Sequence, residues 1–145
     1  MSFIDSYSNA STPPRQDLYR IDGMHLANVN EDKVPELAGY NLSPVEFVQV
    51  TANDGTKLNA SIIKPSDFNP AKKYPVLIGI YGGPHVQVVR NAWGGAAYLW
   101  HQIVAEKGYI IFSLDNRGSW GRGHAFELPS ITISAKSNYR TNWRA

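Results

Sequence analysis

Cysteine is absent from the 145-residue sequence. Without thiols the chain forms no disulfide and offers no thiolate to a metal ion, which excludes disulfide-stapled scaffolds and cysteine-based zinc sites. The absence does not identify a compartment, because proteins without cysteine occur in oxidising and reducing environments alike. The localisation of the chain therefore stays open at the level of the sequence.

The sequence also has little net charge and no long apolar run. Fourteen Lys and Arg residues oppose twelve Asp and Glu residues, which leaves a formal net charge of +2. This balance, without any basic run, argues against nucleic-acid binding. No apolar segment approaches the roughly 18 residues of a membrane-spanning helix, and residues 1–10 lack the basic and apolar parts of a signal peptide. We therefore expect a soluble chain with no export signal and with neither a nucleic-acid nor a membrane partner.

Metal and cofactor motifs are missing as well. The four histidines have no H-x-x-x-H or H-E-x-x-H spacing, which would place two imidazoles on one face of a helix. The glycines at Gly121 and Gly123 do not follow a strand in the manner of a dinucleotide-binding turn. The sequence therefore predicts no metal site and no cofactor.

What the sequence does contain is material for a core. Apolar residues make up 43% and aromatic residues 12% of the chain, enough for about one folded domain. Residues 1–31 are polar and rich in turn signals, with a predicted strand at 16–20 and a turn at 21–23. A short helix is predicted at 31–39, ended by Gly39.

A β-hairpin is predicted over residues 45–64. Residues 45–50 are β-branched or aromatic at most positions, Asn53-Asp54-Gly55 is a turn signal, and residues 57–64 alternate between apolar and polar side chains. Alternation of this kind is typical of a strand with one buried face.

A βαβ unit is predicted next, which makes the fold class α/β. Residues 76–80 are continuously apolar, as in a strand buried on both faces of a parallel sheet, and residues 109–114 form a second such strand. Between them, apolar residues recur at helical spacing from about Ala92, and Gly108 ends the helix. The residues predicted to face the core are Trp93, Ala96, Ala97, Trp100, Ile103 and Val104.

The loop after the first buried strand is the first candidate site. Tyr81-Gly82-Gly83-Pro84-His85 lies at the carboxyl end of that strand, where open α/β sheets place their sites. Two glycines allow a backbone to approach a developing oxyanion closely, and a Tyr hydroxyl is a suitable further donor. The alternative interpretation is a strand-end turn with a packing Tyr.

The glycine-rich loop at residues 115–123 offers an acid, a Ser and a His, but not a triad. Ser119 stands in R-G-S-W-G and not in G-x-S-x-G. A nucleophile elbow also needs a helix directly after the Ser, whereas a glycine loop follows here. We therefore interpret Asp115, Ser119 and His124 as loop residues, with a buried Arg or Asp network.

Three separated motifs, taken together, resemble the dipeptidyl peptidase IV branch of the prolyl oligopeptidase serine peptidases. They are K-K-Y-P-V-L-I-G-I-Y-G-G-P-H at 72–85, the Trp-bearing helix after it, and S-L-D-N-R-G-S-W-G-R-G at 113–123. The resemblance covers residues 45–127 and implies the N-terminal portion of an α/β-hydrolase sheet. Residues 1–32 resemble the end of the β-propeller that precedes the catalytic domain in this family.

The resemblance implies a serine-type dipeptidyl peptidase, which removes N-terminal X-Pro or X-Ala dipeptides through an acyl-enzyme. It assigns Tyr81 the side-chain donor of the oxyanion hole, with Gly82 and Gly83 on the same loop. The family's nucleophile (in G-W-S-Y-G-G), its catalytic Asp and His, and its paired substrate-binding Glu residues have no counterpart here. Loss of a triad costs several orders of magnitude in rate, so we expect the chain as given to be inactive. Peptide substrates, and the homodimers common in the family, are implied only for intact relatives, which are periplasmic, cytoplasmic or at the cell surface.

The predicted organisation has four parts: a propeller remnant at 1–32, a linker with a short helix at 33–44, a partial peptidase domain at 45–128 and an atypical tail at 129–145. The tail departs from the family pattern. Read one base out of frame with permitted codons, it can yield V-Y-H-H-F-G-K-V-E-L-Q-D-Q-L-A-G, which resembles the family's continuation. We hypothesise a frameshift near Leu128 and Pro129, which resequencing of the DNA tests.

Two other interpretations stay open. The chain could be a non-catalytic or dominant-negative partner that pairs with an intact relative through an exposed sheet. It could also be a small α/β binding module with a site around residues 82–85 and 116–123. Strands at 76–80 and 109–114 that lack neighbours predict poor solubility, because bare apolar faces and unpaired edges favour aggregation.

Overall fold

The computed structural model describes residues 1–127, so the prediction for the tail at 129–145 lies outside the described residues. The described part is rich in β-structure and has few helices. Its elements are β1 (Ser2–Asn9), β2 (Thr12–Arg20), β3 (His25–Glu31), a 3-10 helix (Pro35–Gly39), β4 (Val45–Thr51), β5 (Lys57–Ile63), β6 (Val76–Gly79), α1 (Gly95–Glu106) and β7 (Ile110–Leu114). The strands form two sheets, with the orders β1-β2-β3 and β4-β5-β7-β6.

The first sheet is an antiparallel meander where the sequence predicted a single strand at 16–20. β2 pairs with β1 on one side and with β3 on the other. The turn between β2 and β3 has Gly23 at φ +87°, a left-handed conformation that glycine adopts without steric cost. The two outer strands were missed because β3 is exposed at every residue and β1 at most of them. Strands without a buried face lack the apolar alternation that identifies a strand in a sequence.

A buried carboxylate organises one face of the first sheet. Asp17 in β2 is 1% exposed and accepts hydrogen bonds from Arg15 Nε at 2.7 Å and from Asn28 Nδ2 at 3.1 Å. The Tyr7 hydroxyl donates to it at 3.4 Å, and His25 Nε2 lies 3.3 Å from it. The hydrogen bonds from Arg15, with those from Asn28 and His25, hold the pKa of Asp17 well below its usual range.

The short helix predicted at 31–39 is a 3-10 helix over Pro35–Gly39. It begins later than predicted because Glu31 still belongs to β3 and Pro35 occupies the first turn, where its missing N–H costs nothing. Gly39 ends the helix, as predicted.

The second sheet contains the predicted hairpin and the predicted βαβ unit. β4 and β5 pair antiparallel from Val45↔Ile63 to Thr51↔Lys57, around a turn in which Gly55 has φ +84°. β6 and β7 pair in parallel from Val76↔Ile110 to Gly79↔Ser113, with α1 between them in the chain. β5 pairs antiparallel with β7, so the sheet is mixed, and β6 lies at one edge. The prediction that residues 76–80 form a strand buried on both faces is wrong, because Val76 and Ile78 are each 51% exposed on the face away from α1.

Helix α1 packs on the sheet through a narrower stripe than the sequence predicted. Its buried residues are Tyr98, Gln102 and Ala105. The prediction that Trp100 and Ile103 face the core is wrong, since they are 53% and 58% exposed, and Ala96 and Ala97 are exposed as well. In a helix that is largely apolar, residues three and four apart line up on more than one side. Periodicity alone therefore does not show which side packs on the sheet.

Two apolar clusters lie on opposite faces of the second sheet. The first, under α1, contains Ile63, Tyr98, Ala105 and Ile111, with Trp93 and Val104 packed against it. The second contains Leu58, Ala60 and Leu114, with Phe112 and Phe126 packed against it. The core prediction is thus confirmed for Trp93 and Val104. Within residues 1–127 no helix is long and apolar enough to cross a membrane.

Candidate functional site

Tyr81 lies two residues beyond the end of β6, at the carboxyl end of the parallel strand pair. Its side chain is 57% exposed. A phenol in this position presents its hydroxyl at the edge of the sheet where ligands of α/β proteins bind. The geometry is therefore compatible with a hydrogen-bond donor to a reacting group.

The two glycines after Tyr81 are needed for two different reasons. Gly82 has φ +76°, and a Cβ built on it meets nothing within 4 Å, so its requirement is conformational. Gly83 has an ordinary φ, but its Cβ would lie 2.7 Å from Tyr81 Cε1. The Tyr81 ring thus folds back over Gly83, and any side chain at that position would displace it.

The loop that carries Tyr81 is fixed by hydrogen bonds to the side chain of Asn116, which is 1% exposed. Asn116 Oδ1 accepts the Gly82 N–H at 3.1 Å, and Asn116 Nδ2 donates to the Gly83 carbonyl at 3.1 Å and to the Arg117 carbonyl at 2.6 Å. The side-chain amide therefore uses its acceptor and donor ends on two successive residues of the Tyr81 loop. A buried, fully engaged amide fixes the backbone on which the Tyr81 ring stands.

A second contact joins the same two loops. His85 N–H donates to the Gly118 carbonyl at 2.9 Å, and His85 itself has φ +62°, a strained conformation for a residue with a side chain. Together with Asn116, this contact brings the segments 82–85 and 116–123 next to each other. The binding-module interpretation placed these two segments around one site, and the contacts agree with that placement, while ligand binding there stays a prediction.

Asp115 anchors the chain that leads from the candidate site to α1. Its carboxylate is 4% exposed, and Oδ1 accepts the N–H groups of Val88 at 2.7 Å and Val89 at 3.1 Å. Burial raises the pKa of Asp115, against the lowering effect of these two hydrogen bonds. The Asp115 carboxylate is thus occupied by backbone hydrogen bonds and is not available as a general base.

Ser119 is not a nucleophile in this structure. It is 1% exposed, and its hydroxyl donates to the Asn116 carbonyl at 2.5 Å. The hydroxyl closes a turn inside the glycine-rich loop and reaches neither solvent nor an imidazole. The interpretation of Asp115 and Ser119 as loop residues agrees with these contacts, whereas His124 lies in a helical segment at residues 124–127, so the loop interpretation is wrong for it.

The glycine-rich loop is tied to the hairpin by two arginines. Arg117 pairs with the carboxylate of Asp54 and donates to Thr56 Oγ1 at 3.0 Å. The hydrogen bond from Arg117 holds the pKa of Asp54 well below its usual range. Arg122 donates to the Lys57 carbonyl at 2.5 Å, and its guanidinium lies 4.3 Å from the centre of the Phe126 ring. These contacts form an Arg and Asp network at this loop, but the network is not buried as predicted, since Asp54 is 51% exposed and Arg122 is exposed.

The hydrogen bonds of Asn116 to the Tyr81 loop are the part of the site that sequence reasoning missed. The residue falls within the candidate segment 116–123, but no spacing rule predicts that its side chain reaches a loop 33 residues earlier. Metal ligation is not a feature of the described part, since residues 1–127 hold no group of three or more His, Asp or Glu side chains that could bind an ion.

The known proteins that this chain resembles in sequence and in structure are dipeptidyl peptidases. The chain is 36% identical over 132 residues to mouse dipeptidyl peptidase 8 and 33% identical over 131 residues to dipeptidyl peptidase 4 of Arthroderma otae, in both cases across 86% of the chain. The crystal structure of Porphyromonas gingivalis dipeptidyl peptidase 4 matches 87% of the chain with a TM-score of 0.76 and 32% identity. A Bacteroides ovatus structure classed as dipeptidyl aminopeptidase IV matches the same share with a TM-score of 0.73 and 41% identity.

The chain is much shorter than these relatives. It spans 15% of the mouse protein, 16% of the fungal protein and 18% of each bacterial structure. No protein-family model matches the chain. The pairwise matches agree in sequence and in backbone, and all four are dipeptidyl peptidases. In sequence and in backbone this chain matches the dipeptidyl peptidase IV branch of the prolyl oligopeptidase serine peptidases, which confirms the resemblance that the three motifs indicated.

Proposed function

We propose that the chain is the N-terminal portion of an α/β-hydrolase-type catalytic domain of a serine dipeptidyl peptidase, in which Tyr81 donates to the oxyanion hole. One observation carries the proposal. The exposed Tyr81 ring stands at the carboxyl end of a parallel strand, on a glycine loop held by the buried amide of Asn116. The alternative interpretation, in which Tyr81 only packs against the protein at a strand-end turn, is disfavoured because its side chain is 57% exposed.

The arrangement suits stabilisation of a tetrahedral oxyanion. A donor stabilises a transition state best when it is already aimed, because no reorganisation is then needed as charge develops. The Tyr81 ring rests on Gly83, and the backbone beneath it is fixed by two hydrogen bonds to Asn116. A single oxyanion-hole donor is typically worth about 2.7–4 kcal/mol of transition-state stabilisation.

Residues 1–128 would then consist of three parts. Residues 1–32, which form the antiparallel meander, correspond to the end of a β-propeller, and residues 45–128 correspond to the first strands of the hydrolase sheet. Residues 33–44 link the two and contain the 3-10 helix. Substrates would be peptides with an N-terminal X-Pro or X-Ala dipeptide, no cofactor would be needed, and turnover would require catalytic groups that this sequence does not contain.

Assays on the full 145-residue chain test whether it lacks peptidase activity. We expect no labelling by a fluorophosphonate probe and no release of p-nitroaniline from Gly-Pro-p-nitroanilide, because the Ser119 hydroxyl is buried against a carbonyl. A Ser119→Ala variant is the matched control. Labelling of the parent chain that this variant loses would show that Ser119 is a nucleophile and that the proposal is wrong.

A chimera tests the role of Tyr81. The matched segment of Porphyromonas gingivalis dipeptidyl peptidase 4 would be replaced by residues of this chain, and kcat and KM measured with Gly-Pro-p-nitroanilide. We expect Tyr81→Phe to lower kcat by about 100–1,000-fold with little change in KM. Tyr109→Phe is the control, since Tyr109 is also exposed but lies at the start of β7, away from the loop. Equal kcat values for both variants would refute the assignment.

A second candidate function is a non-catalytic or dominant-negative partner of an intact relative. It is favoured by the edge strand β6, whose Val76 and Ile78 are each 51% exposed on one face, and by Ile80 directly after the strand, which is 38% exposed. Such an edge pairs readily with another chain. The test is co-purification with a full-length dipeptidyl peptidase, and Ile78→Lys should abolish it. Retention of the complex by that variant would exclude β6 as the contact.

A further inference from the structure

A cavity of about 210 Å³ lies between the second sheet and the start of α1. It is bounded by β5 and β7 below, by α1 above, and by residues 88–94 at one side. An apolar cavity of about 150 Å³ binds benzene. This space is therefore large enough for a small organic molecule, and its lining includes no residue of the loop that carries Tyr81.

The cavity exists because the row of side chains under α1 changes from large to small. One row across the sheet consists of Val45, Ile63, Ile111 and Leu77, which pair in that order. Two residues away along the strands, the same face carries Ser61, Ser113 and Gly79, again paired in that order. Side chains two residues apart share a face, so the large row packs against α1 and the small row leaves the space open.

The polar lining of the cavity offers donors but no acid. Arg90 and His101 line it together with the hydroxyls of Ser61 and Ser113, and its lining includes no Asp or Glu. Burial lowers the pKa of His101, so its ring is neutral at pH 7 and keeps one N–H donor. The Asp115 carboxylate interacts electrostatically with Arg90, but it does not line the cavity and already accepts the N–H groups of Val88 and Val89.

The rest of the lining is apolar. Val45, Ile63 and Ile111 form the floor toward the large row, and Trp93 and Ala97 lie at the side of α1. A site with apolar walls and a few convergent donors is the usual composition of a pocket for a small organic ligand. Inorganic anions would leave these walls without a partner.

We propose that this cavity is a binding site for a small organic monocarboxylate with an apolar body. The carboxylate would take the donors of Arg90, His101 and the Ser61–Ser113 pair, and the apolar body would contact Ile63 and Trp93. Arg is suited to this role because its guanidinium donates two parallel hydrogen bonds to a carboxylate. Neither Tyr81 nor peptidase activity enters the proposal.

The test uses the full 145-residue chain and benzoate as the probe, with binding measured by titration calorimetry. Benzamide, which has the same shape without the charge, is the matched ligand. We expect saturable binding of benzoate and at least about tenfold weaker binding of benzamide, the difference expected for loss of a charge-assisted hydrogen bond. Absence of saturable benzoate binding, or equal binding of both ligands, overturns the proposal.

Variants locate the site. Arg90 is exposed, so Arg90→Gln leaves the core intact, and we expect about tenfold weaker benzoate binding. Ser61→Leu should fill the cavity and abolish binding while leaving the Arg90 and His101 side chains in place. Arg20→Gln is the control, because Arg20 pairs with Asp22 on the first sheet and does not line the cavity. Unchanged binding by Arg90→Gln, or equal loss with Arg20→Gln, would show that benzoate binds elsewhere.

Discussion

The side-chain amide of Asn116 accepts the backbone N–H of Gly82 at 3.1 Å, across 34 residues of sequence. The same amide donates to the carbonyl of the next residue, Gly83, so it replaces a strand pairing that the loop cannot make. Asn116 follows β7 and Gly82 follows β6, and these strands are parallel neighbours. The contact therefore joins the carboxyl ends of two adjacent strands at the point where Tyr81 leaves the sheet.

Replacement of Asn116 by Asp tests this contact with a nearly isosteric side chain. The carboxylate can still accept from Gly82, but it cannot donate to the carbonyls of Gly83 and Arg117. We expect the free energy of unfolding to fall by about 1–3 kcal/mol, the cost of leaving buried polar groups unpaired. Denaturant unfolding measures this. The control is Asn41→Asp at an exposed position, and an equal loss there would mean that charge alone is responsible.

Alanine at Gly83 and at Gly82 should have different effects. At Gly83 the new Cβ would lie 2.7 Å from the Tyr81 ring, so we expect the ring to move, which changes the chemical shifts of its protons in an NMR spectrum. At Gly82 the space is open, but φ is +76°, so we expect a loss of about 1–2 kcal/mol with the ring in place. Gly39→Ala, with open space and ordinary φ, is the control. Unmoved Tyr81 signals in Gly83→Ala would contradict the packing of the ring on Gly83.

The first sheet should lose stability in acid through Asp17. The pKa of Asp17 is lowered in the folded chain, chiefly by the hydrogen bonds from Arg15. A lowered carboxyl pKa gives stability that is fully present above the unfolded value of about 3.9 and is lost as the pH falls below it. We therefore expect Asp17→Asn to lower Tm at pH 7 and to flatten the decline of Tm in acid. The control is Asp67→Asn on an exposed turn. If Tm of the Asp17→Asn variant declines in acid as steeply as Tm of the parent, the titration of Asp17 is not the cause of the acid instability.

The helix α1 is tied to the linker before β4 by one buried side chain. Gln102 is 4% exposed, accepts the Ser43 N–H at 2.8 Å and donates to the Ser43 carbonyl at 2.9 Å. Gln102→Met keeps the volume but leaves the Ser43 N–H without its partner, while the Ser43 carbonyl keeps only the Tyr98 hydroxyl at 3.5 Å. We expect the free energy of unfolding to fall by about 1–3 kcal/mol, the cost of leaving a buried polar group unpaired. Gln49→Met, on an exposed strand position, should change it by less than about 0.5 kcal/mol.

The sequence determined the local order of the second sheet. The apolar run at 76–80, the alternation at 57–64 and the Asn53-Asp54-Gly55 turn each predict their element from neighbouring residues, and the structure has all three. The quoted motifs also identified the family, because they record residue identity in order along the chain. The role of Tyr81 as an oxyanion donor stays a prediction.

The burial of each face and the contacts between distant residues depend on how the elements pack together. Trp100 has the spacing of a core residue, yet it is 53% exposed because α1 docks through Tyr98, Gln102 and Ala105. Asn116 carries no local signal for its contact with Gly82, since that contact depends on β6 and β7 lying side by side. Periodicity is a property of neighbours in sequence, whereas burial and long-range hydrogen bonds depend on how elements pack, and packing is set by the whole chain.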